Sequence, residues 1–122
     1  MRTSSAKRKG RKLQNKVRDD LREMGKEFGL VDDDLCARQM GGAGVDIICS
    51  PSARRVFPFD IECKNQEALN VFAEFTKHYA KYKKTKNLKL LIHSKNRSDT
   101  LVTMRWKTFL NLFGTYLDGK RE

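Results

Sequence analysis

Six consecutive residues, Phe59-Asp60-Ile61-Glu62-Cys63-Lys64, alternate between apolar and charged side chains. A period of two is the signature of a β-strand, in which residues i and i+2 share a face. One face of this strand must therefore meet a core through Ile61 and Cys63, and the other must carry Asp60, Glu62 and Lys64. Upstream, Val45 to Cys49 is β-branched and apolar and follows the glycine-rich turn Gly41, Gly42, Ala43, Gly44. That run is interrupted by Asp46, and a carboxylate in an interior strand needs a partner or a metal, because burying an unpaired charge costs several kcal/mol. If the two strands pair, Asp46 and Glu62 converge, with Lys64 roughly 7 Å along the strand from Glu62. Two carboxylates and a lysine then frame a site for a hard cation.

The remaining elements follow from periodicity. Leu13, Val17, Leu21, Met24 and Phe28 recur at helical steps and predict a first helix that Gly29 ends. Residues 35–40 read as a strand, 45–49 as a second, 50–55 as a turn with Arg54 and Arg55 at its tip, and 56–64 as a third. Pro58 favours an edge or a strand start for that third strand. Ala68, Leu69, Val71, Phe72, Phe75, Tyr79 and Tyr82 predict a helix over 67–84. Strands at 88–93 and 100–104 follow. A closing helix is marked by Trp106, Phe109, Leu110, Phe113 and Leu117, a stripe that reads as core or dimer interface. The expected class is α/β: one domain with a mixed central sheet flanked by helices.

A chain of 122 residues supports one hydrophobic core. With 26 Lys and Arg against 15 Asp and Glu, the net charge of +11 favours a polyanionic partner, nucleic acid first. The charge is polarised. Residues 1–18 hold Arg2, Lys7, Arg8, Lys9, Arg11, Lys12, Lys16 and Arg18 without one acid, so 1–9 reads as a basic arm ahead of a domain at 10–122. A second acid-free block runs from Lys77 to Arg97, and Asp19, Asp20, Glu23, Glu27 and Asp32 to Asp34 form an acidic patch between them. Lys7, Arg8, Lys9, Arg11, Arg54, Arg55, Lys95 and Arg97 are the candidate DNA-backbone contacts; a solvated basic surface is the plain alternative. No apolar run has the roughly 20 residues of a membrane span, and no secretory signal is visible, so the expectation is a soluble cytoplasmic protein without a membrane partner. Cys36, Cys49 and Cys63 share no CxxC spacing, which argues against a disulfide framework or a zinc site.

The chemistry suited to Asp46, Glu62 and Lys64 is phosphodiester hydrolysis. Asp46 and Glu62, helped by the carbonyl of Cys63, would hold Mg²⁺ through oxygen and leave positions for water and a phosphate oxygen. Lys64 would orient or deprotonate the attacking water, or stabilise the pentavalent state. The spacing alone carries little: a carboxylate followed at i+2 by lysine is expected about twice in a chain of this composition, and it occurs twice, at Glu62/Lys64 and Asp118/Lys120. Only the first copy sits in an apolar strand behind a strand bearing Asp46. A solvated salt-bridge face is the alternative.

These residues, GGAGVDII at 41–48 and FDIECKNQ at 59–66, resemble the PD-(D/E)XK nucleases, and among them archaeal-type Holliday-junction resolvases and the short phage-encoded endonucleases like them. The resemblance spans about residues 8–105 and implies a restriction-endonuclease-like αβββαβ core. It further implies dependence on Mg²⁺, with Mn²⁺ able to substitute, a catalytic set of Asp46, Glu62 and Lys64, and branched or structured DNA as substrate. A phage-encoded enzyme would work in the host cytoplasm. Val45 stands where the family has its naming proline. Gln14 stands where the resolvases place a glutamate on the first helix; a neutral amide can hold a water or a phosphate but adds no anionic charge. Similar phage enzymes carry a polar residue facing the site on the helix after the lysine, here near Lys77 or His78. A resolvase cuts two strands symmetrically and so implies a homodimer. A flap, nicking or restriction-type nuclease, or a non-catalytic nucleic-acid-binding protein with the same fold, are the alternative functions.

Overall fold

The computed structural model describes residues 4–39 and 41–121. It is a small α/β protein with the order α1 (Ser4–Gly25), β1 (Leu35–Ala37), β2 (Ile47–Cys49), α2 (Pro51–Val56), β3 (Phe59–Asn65), α3 (Val71–Lys81), β4 (Leu88–Ser94), β5 (Leu101–Thr103) and α4 (Trp106–Gly119). Short 3₁₀ turns at 26–28 and 32–34 join α1 to β1. β1 and β2 form an antiparallel pair, and a separate mixed sheet runs β3-β4-β5, parallel between β3 and β4 and antiparallel between β4 and β5.

The core is the layer between α1 and the strands. Leu13 and Val17 of α1 pack with Leu35, Ile47, Ile61 and Cys63, all buried. As the alternation requires, Ile61 and Cys63 point to this side. Two of the five residues of the predicted α1 stripe do not reach it: Met24 and Phe28 are exposed. The helix stops at Gly25, the chain reverses through Gly29 at φ +78°, and Leu30 folds back into the core. A Cβ on Gly25 would lie 2.8 Å from Leu30 Cδ1, so the missing side chain makes room for that return.

Several predicted boundaries shift. Residues 4–9 of the predicted basic arm are the first turns of α1; Arg2, and Met40 at the predicted end of the first strand, lie outside the described residues. The turn predicted at 50–55 is the helix α2: Ser50 caps it by accepting from Ala53 N–H, and Pro51 takes the first helical position, where its missing N–H costs nothing. β3 begins only after Pro58. α3 starts later than predicted, because the Asn70 side chain caps it by accepting from Ala73 N–H. The predicted pairing of the second and third strands is replaced by two bonds made by Asp46, described below.

On the other face of β3, Asp60 is buried and ion-paired with buried Lys89 of β4, 3.2 Å away. Thr85 and Asn87 also donate to Asp60, while the Lys89 ammonium donates to the carbonyls of Thr85 and Asn87. The network fastens the α3–β4 connection to the sheet with every charge satisfied. Lys89→Ala should therefore leave a buried carboxylate unpaired and cost about 3–5 kcal/mol in urea denaturation, well above the cost of an exposed lysine such as Lys95→Ala.

Candidate functional site

The glycine turn before β2 directs the chain back against β3. Gly41 and Gly44 have φ of +85° and +111°, and a Cβ on Gly44 would meet the Arg38 guanidinium at 2.8 Å. Arg38 Nε donates to the Val45 carbonyl at 2.7 Å, which braces the turn. Asp46 follows, and its backbone N–H donates to the Ile61 carbonyl at 2.9 Å while its Oδ2 accepts from Cys63 N–H at 2.7 Å. The aspartate thus occupies the outer edge of β3 as a neighbouring strand would, with a carboxylate in place of the second carbonyl.

Asp46, Glu62, Cys63 and Lys64 line one cavity of about 110 Å³, together with Gly10 and Gln14 of α1, the turn residues Gln39, Gly41 and Gly42, and Asn65. The convergence expected from the sequence is present, although by an edge clamp and not by a strand ladder. Burial pushes the Glu62 carboxyl above its ordinary range and the nearby Asp46 charge adds to this, against the opposing pull of Lys64. Burial likewise raises the Asp46 carboxyl, partly offset by the Cys63 N–H bond and by Lys64. Each carboxylate is thus held where its ionised form is under-solvated, the condition that a cation relieves.

The donor set fits a hard cation. Because N–H and C=O of one strand residue project to the same side, the Cys63 carbonyl faces the same edge as its N–H. Asn65 is anchored through Nδ2 to the Lys9 carbonyl at 3.2 Å, and its buried Oδ1 has no hydrogen-bond partner among the described residues. Among the described residues no three His, Cys, Asp or Glu side chains gather as a closed cage. Two carboxylates with neutral oxygens and water is the usual arrangement for Mg²⁺, which keeps much of its hydration. The Cys63 side chain points with Ile61 into the hydrophobic core, and burial pushes its thiol far upward. Gln14 is buried and lines the cavity through α1, as its alignment with Gly10 one turn earlier requires.

α3 supplies residues that motif reading passed over. Glu62 and Lys64 also border a second cavity with Glu74, Lys77, His78 and Lys81. Lys64 Nζ lies between two carboxylates, 3.9 Å from Glu62 and 4.0 Å from Glu74. Glu74 is one helical turn before His78 and two before Lys81, so the period of the face turned toward β3 was the signal available for it. Lys77 is exposed and pairs with Glu74 at 3.6 Å. His78 packs inside, its Nε2 bonded to the Asp60 carbonyl, with burial lowering its pKa.

The candidate DNA contacts divide. The Asn65–Lys9 bond brings the first half of α1, with Lys7, Arg8, Lys9 and Arg11, to the end of β3 that holds the cavity. The β4–β5 turn, with Lys95 and Arg97, borders the same end through Gln66 and Glu67. Arg54 and Arg55 do not join them. Both are exposed on α2, which precedes the far end of β3, roughly 20 Å from Lys64.

Comparison with protein-family models, curated proteins and solved structures finds no match for this chain.

The two raised carboxyls give a signed expectation. As pH rises from about 4, the unfolded chain loses these protons first, so stability should fall until the folded carboxyls have ionised. The melting temperature of the wild type should drop more between acidic and neutral pH than that of an Asp46→Asn/Glu62→Gln double variant. Mg²⁺ at neutral pH should raise it in the wild type alone.

Proposed function

We propose that the chain is a metal-dependent DNA endonuclease that hydrolyses phosphodiester bonds and acts on branched or structured DNA, in the manner of the Holliday-junction resolvases it resembles. One observation carries the reading: Asp46, which leads into one sheet, and Glu62 and Lys64, which belong to another, line a single small polar cavity. A solvated salt-bridge face would leave the carboxyls close to their ordinary range, whereas burial raises both.

When bound, a divalent cation would neutralise charge on the scissile phosphate and supply an acidified water. Asp46 and Glu62 would hold it, with the Cys63 carbonyl and Asn65 Oδ1 beside them. The protein's own contribution is placement. The double bond of Asp46 to β3 fixes one carboxylate at the strand edge, so it need not reorganise as charge develops. Lys64, flanked by Glu62 and Glu74, presents an ammonium for the attacking water or the pentavalent phosphorus. Gln14 offers an amide to a water or a phosphate oxygen. Cations on α1 and on the β4–β5 turn lie at the same end of the sheet, where the flanking backbone of a DNA substrate would run.

Incubation with a four-way junction, a flapped duplex and linear DNA, with Mg²⁺ or with EDTA, tests the proposal. Incision should require Mg²⁺ or Mn²⁺ and fall at least about 100-fold in Asp46→Ala and Lys64→Ala. Glu74→Gln should lose less, about 10-fold, with an altered pH–rate profile. Paired nicks near the branch would mark the resolvase type, and cutting of the flap or the linear duplex a different nuclease. Tight, salt-sensitive binding with no incision of any substrate would overturn the enzyme reading in favour of a binding protein.

A further inference from the structure

A third cavity lies beside the candidate site and takes no part in it. Gln66 follows Asn65 directly in the chain, and with Leu69, Val71, His93, Asp99 and Leu101 it lines a space of about 220 Å³. The strand register explains where it lies. His93 of β4 is the partner of Lys64 on β3 and of Leu101 on β5, so the three side chains project to one face, the face on which Lys64 meets α3. Leu69 and Val71 flank the α3 cap Asn70, and the β4–β5 turn closes the other side. That turn is fixed in advance: Ser98 N–H donates to the Lys95 carbonyl at 3.2 Å, and Asn96 N–H donates to Glu67 Oε2 at 2.6 Å. Preformed walls reduce the cost of ordering on binding. The His93 ring is held by a bond between Nε2 and Thr103 Oγ1 at 2.9 Å, and burial lowers its pKa, so it stands uncharged at neutral pH.

We propose that this cavity receives one unstacked nucleobase of a branched DNA, next to the phosphate that enters the Asp46 cavity; the inference rests on the DNA-cleaving reading above and gives it a means of recognising structure. Size, lining and position each select this occupant. The volume lies below the roughly 300–1,000 Å³ of pockets for drug-sized ligands, so it suits a single ring system. Leu69, Val71 and Leu101 supply apolar contact for the faces of a ring, and the neutral His93 imidazole adds a stacking partner. The Gln66 amide and the Asp99 carboxylate supply the donors and acceptors that read base edges: an amide pairs with adenine, and a carboxylate accepts from the amino group of cytosine. A phosphate is disfavoured there, because Glu67 and Asp99 place two carboxylates on the lining. Lys95, exposed on the same turn, is left to meet the backbone of the nucleotide. Gln66 lies two residues beyond Lys64, roughly 7 Å along the chain, so one DNA strand can reach both cavities. Bases at a branch point lack full stacking and pairing and are extruded at the least cost, so a pocket for one such base favours branched DNA over continuous duplex.

A four-way junction carrying 2-aminopurine, which brightens when it leaves the base stack, tests the proposal without requiring incision. The probe is moved one position at a time across the branch, and fluorescence is read with the full chain in EDTA. The wild type should brighten the probe several-fold at a position next to the branch, and a Gln66→Ala/Asp99→Ala variant should lose that rise. By anisotropy the variant should bind the junction about 10-fold more weakly with an unchanged salt dependence; an abasic site at the same position should weaken the wild type by that factor and the variant no further. No brightening at any position of a saturated junction overturns the proposal, as does an equal rise with the variant. Should the variant unfold, the abasic series with the wild type decides: a loss confined to one position supports the pocket, and equal binding of every abasic junction and the intact one overturns it. The two readings separate. Incision without brightening removes the pocket and keeps the nuclease, whereas brightening that the variant loses, with no incision in Mg²⁺, keeps the pocket and removes the nuclease.

Discussion

The two-point attachment of Asp46 to the edge of β3 is the contact on which the rest of the arrangement depends. The β1–β2 hairpin and the β3-β4-β5 sheet share no ladder; Asp46 joins them through its amide to Ile61 and its carboxylate to Cys63. A main-chain ladder at this point would occupy the strand edge and leave no open oxygen. A side-chain carboxylate seals one amide and keeps its second oxygen for the cavity. The same contact thus closes the fold and builds the site, and its cost appears as carboxyls raised by burial.

Around this joint each layer contributes something different. α1 covers Ile61 and Cys63 on one side and carries Gln14 and a row of cations to the cavity's end of the sheet. α3 covers the other side, placing Glu74 against Lys64 and His78 against the Asp60 carbonyl. The Asp60–Lys89 pair lies on the same face of β3 as Glu62 and Lys64 yet serves only to hold the fold. Its partners are all satisfied, so it has no spare valence for a ligand. Two ionic clusters on one strand face therefore divide into a closed one that holds a loop and an open one that can bind.

The aromatic helix α4 follows β5 and carries its apolar stripe on the exposed side, while Arg105 just before it donates to the Tyr79 hydroxyl of α3.

The elements with strong local signals were legible in the sequence. Alternation in 59–64 gave the direction of Ile61, Glu62, Cys63 and Lys64, because side-chain facing in a strand is a local property of the backbone. The intrusion of Asp46 into an apolar run pointed to a carboxylate that required a partner, and the helical stripes located α1, α3 and α4. What pattern could not decide were the choices made by contact between distant segments. Gly25 is a helix end because Leu30 needs its space; the hairpin is bonded by Asp46 and not by a ladder because the glycine turn delivers an aspartate to the edge of β3. Glu74 belongs to the site because α3 lies over that strand, and the stripe of α4 faces outward because Thr108 faces in. Local periodicity determined which faces existed, while tertiary packing decided what each face met, since that depends on through-space neighbours that no short window of sequence contains.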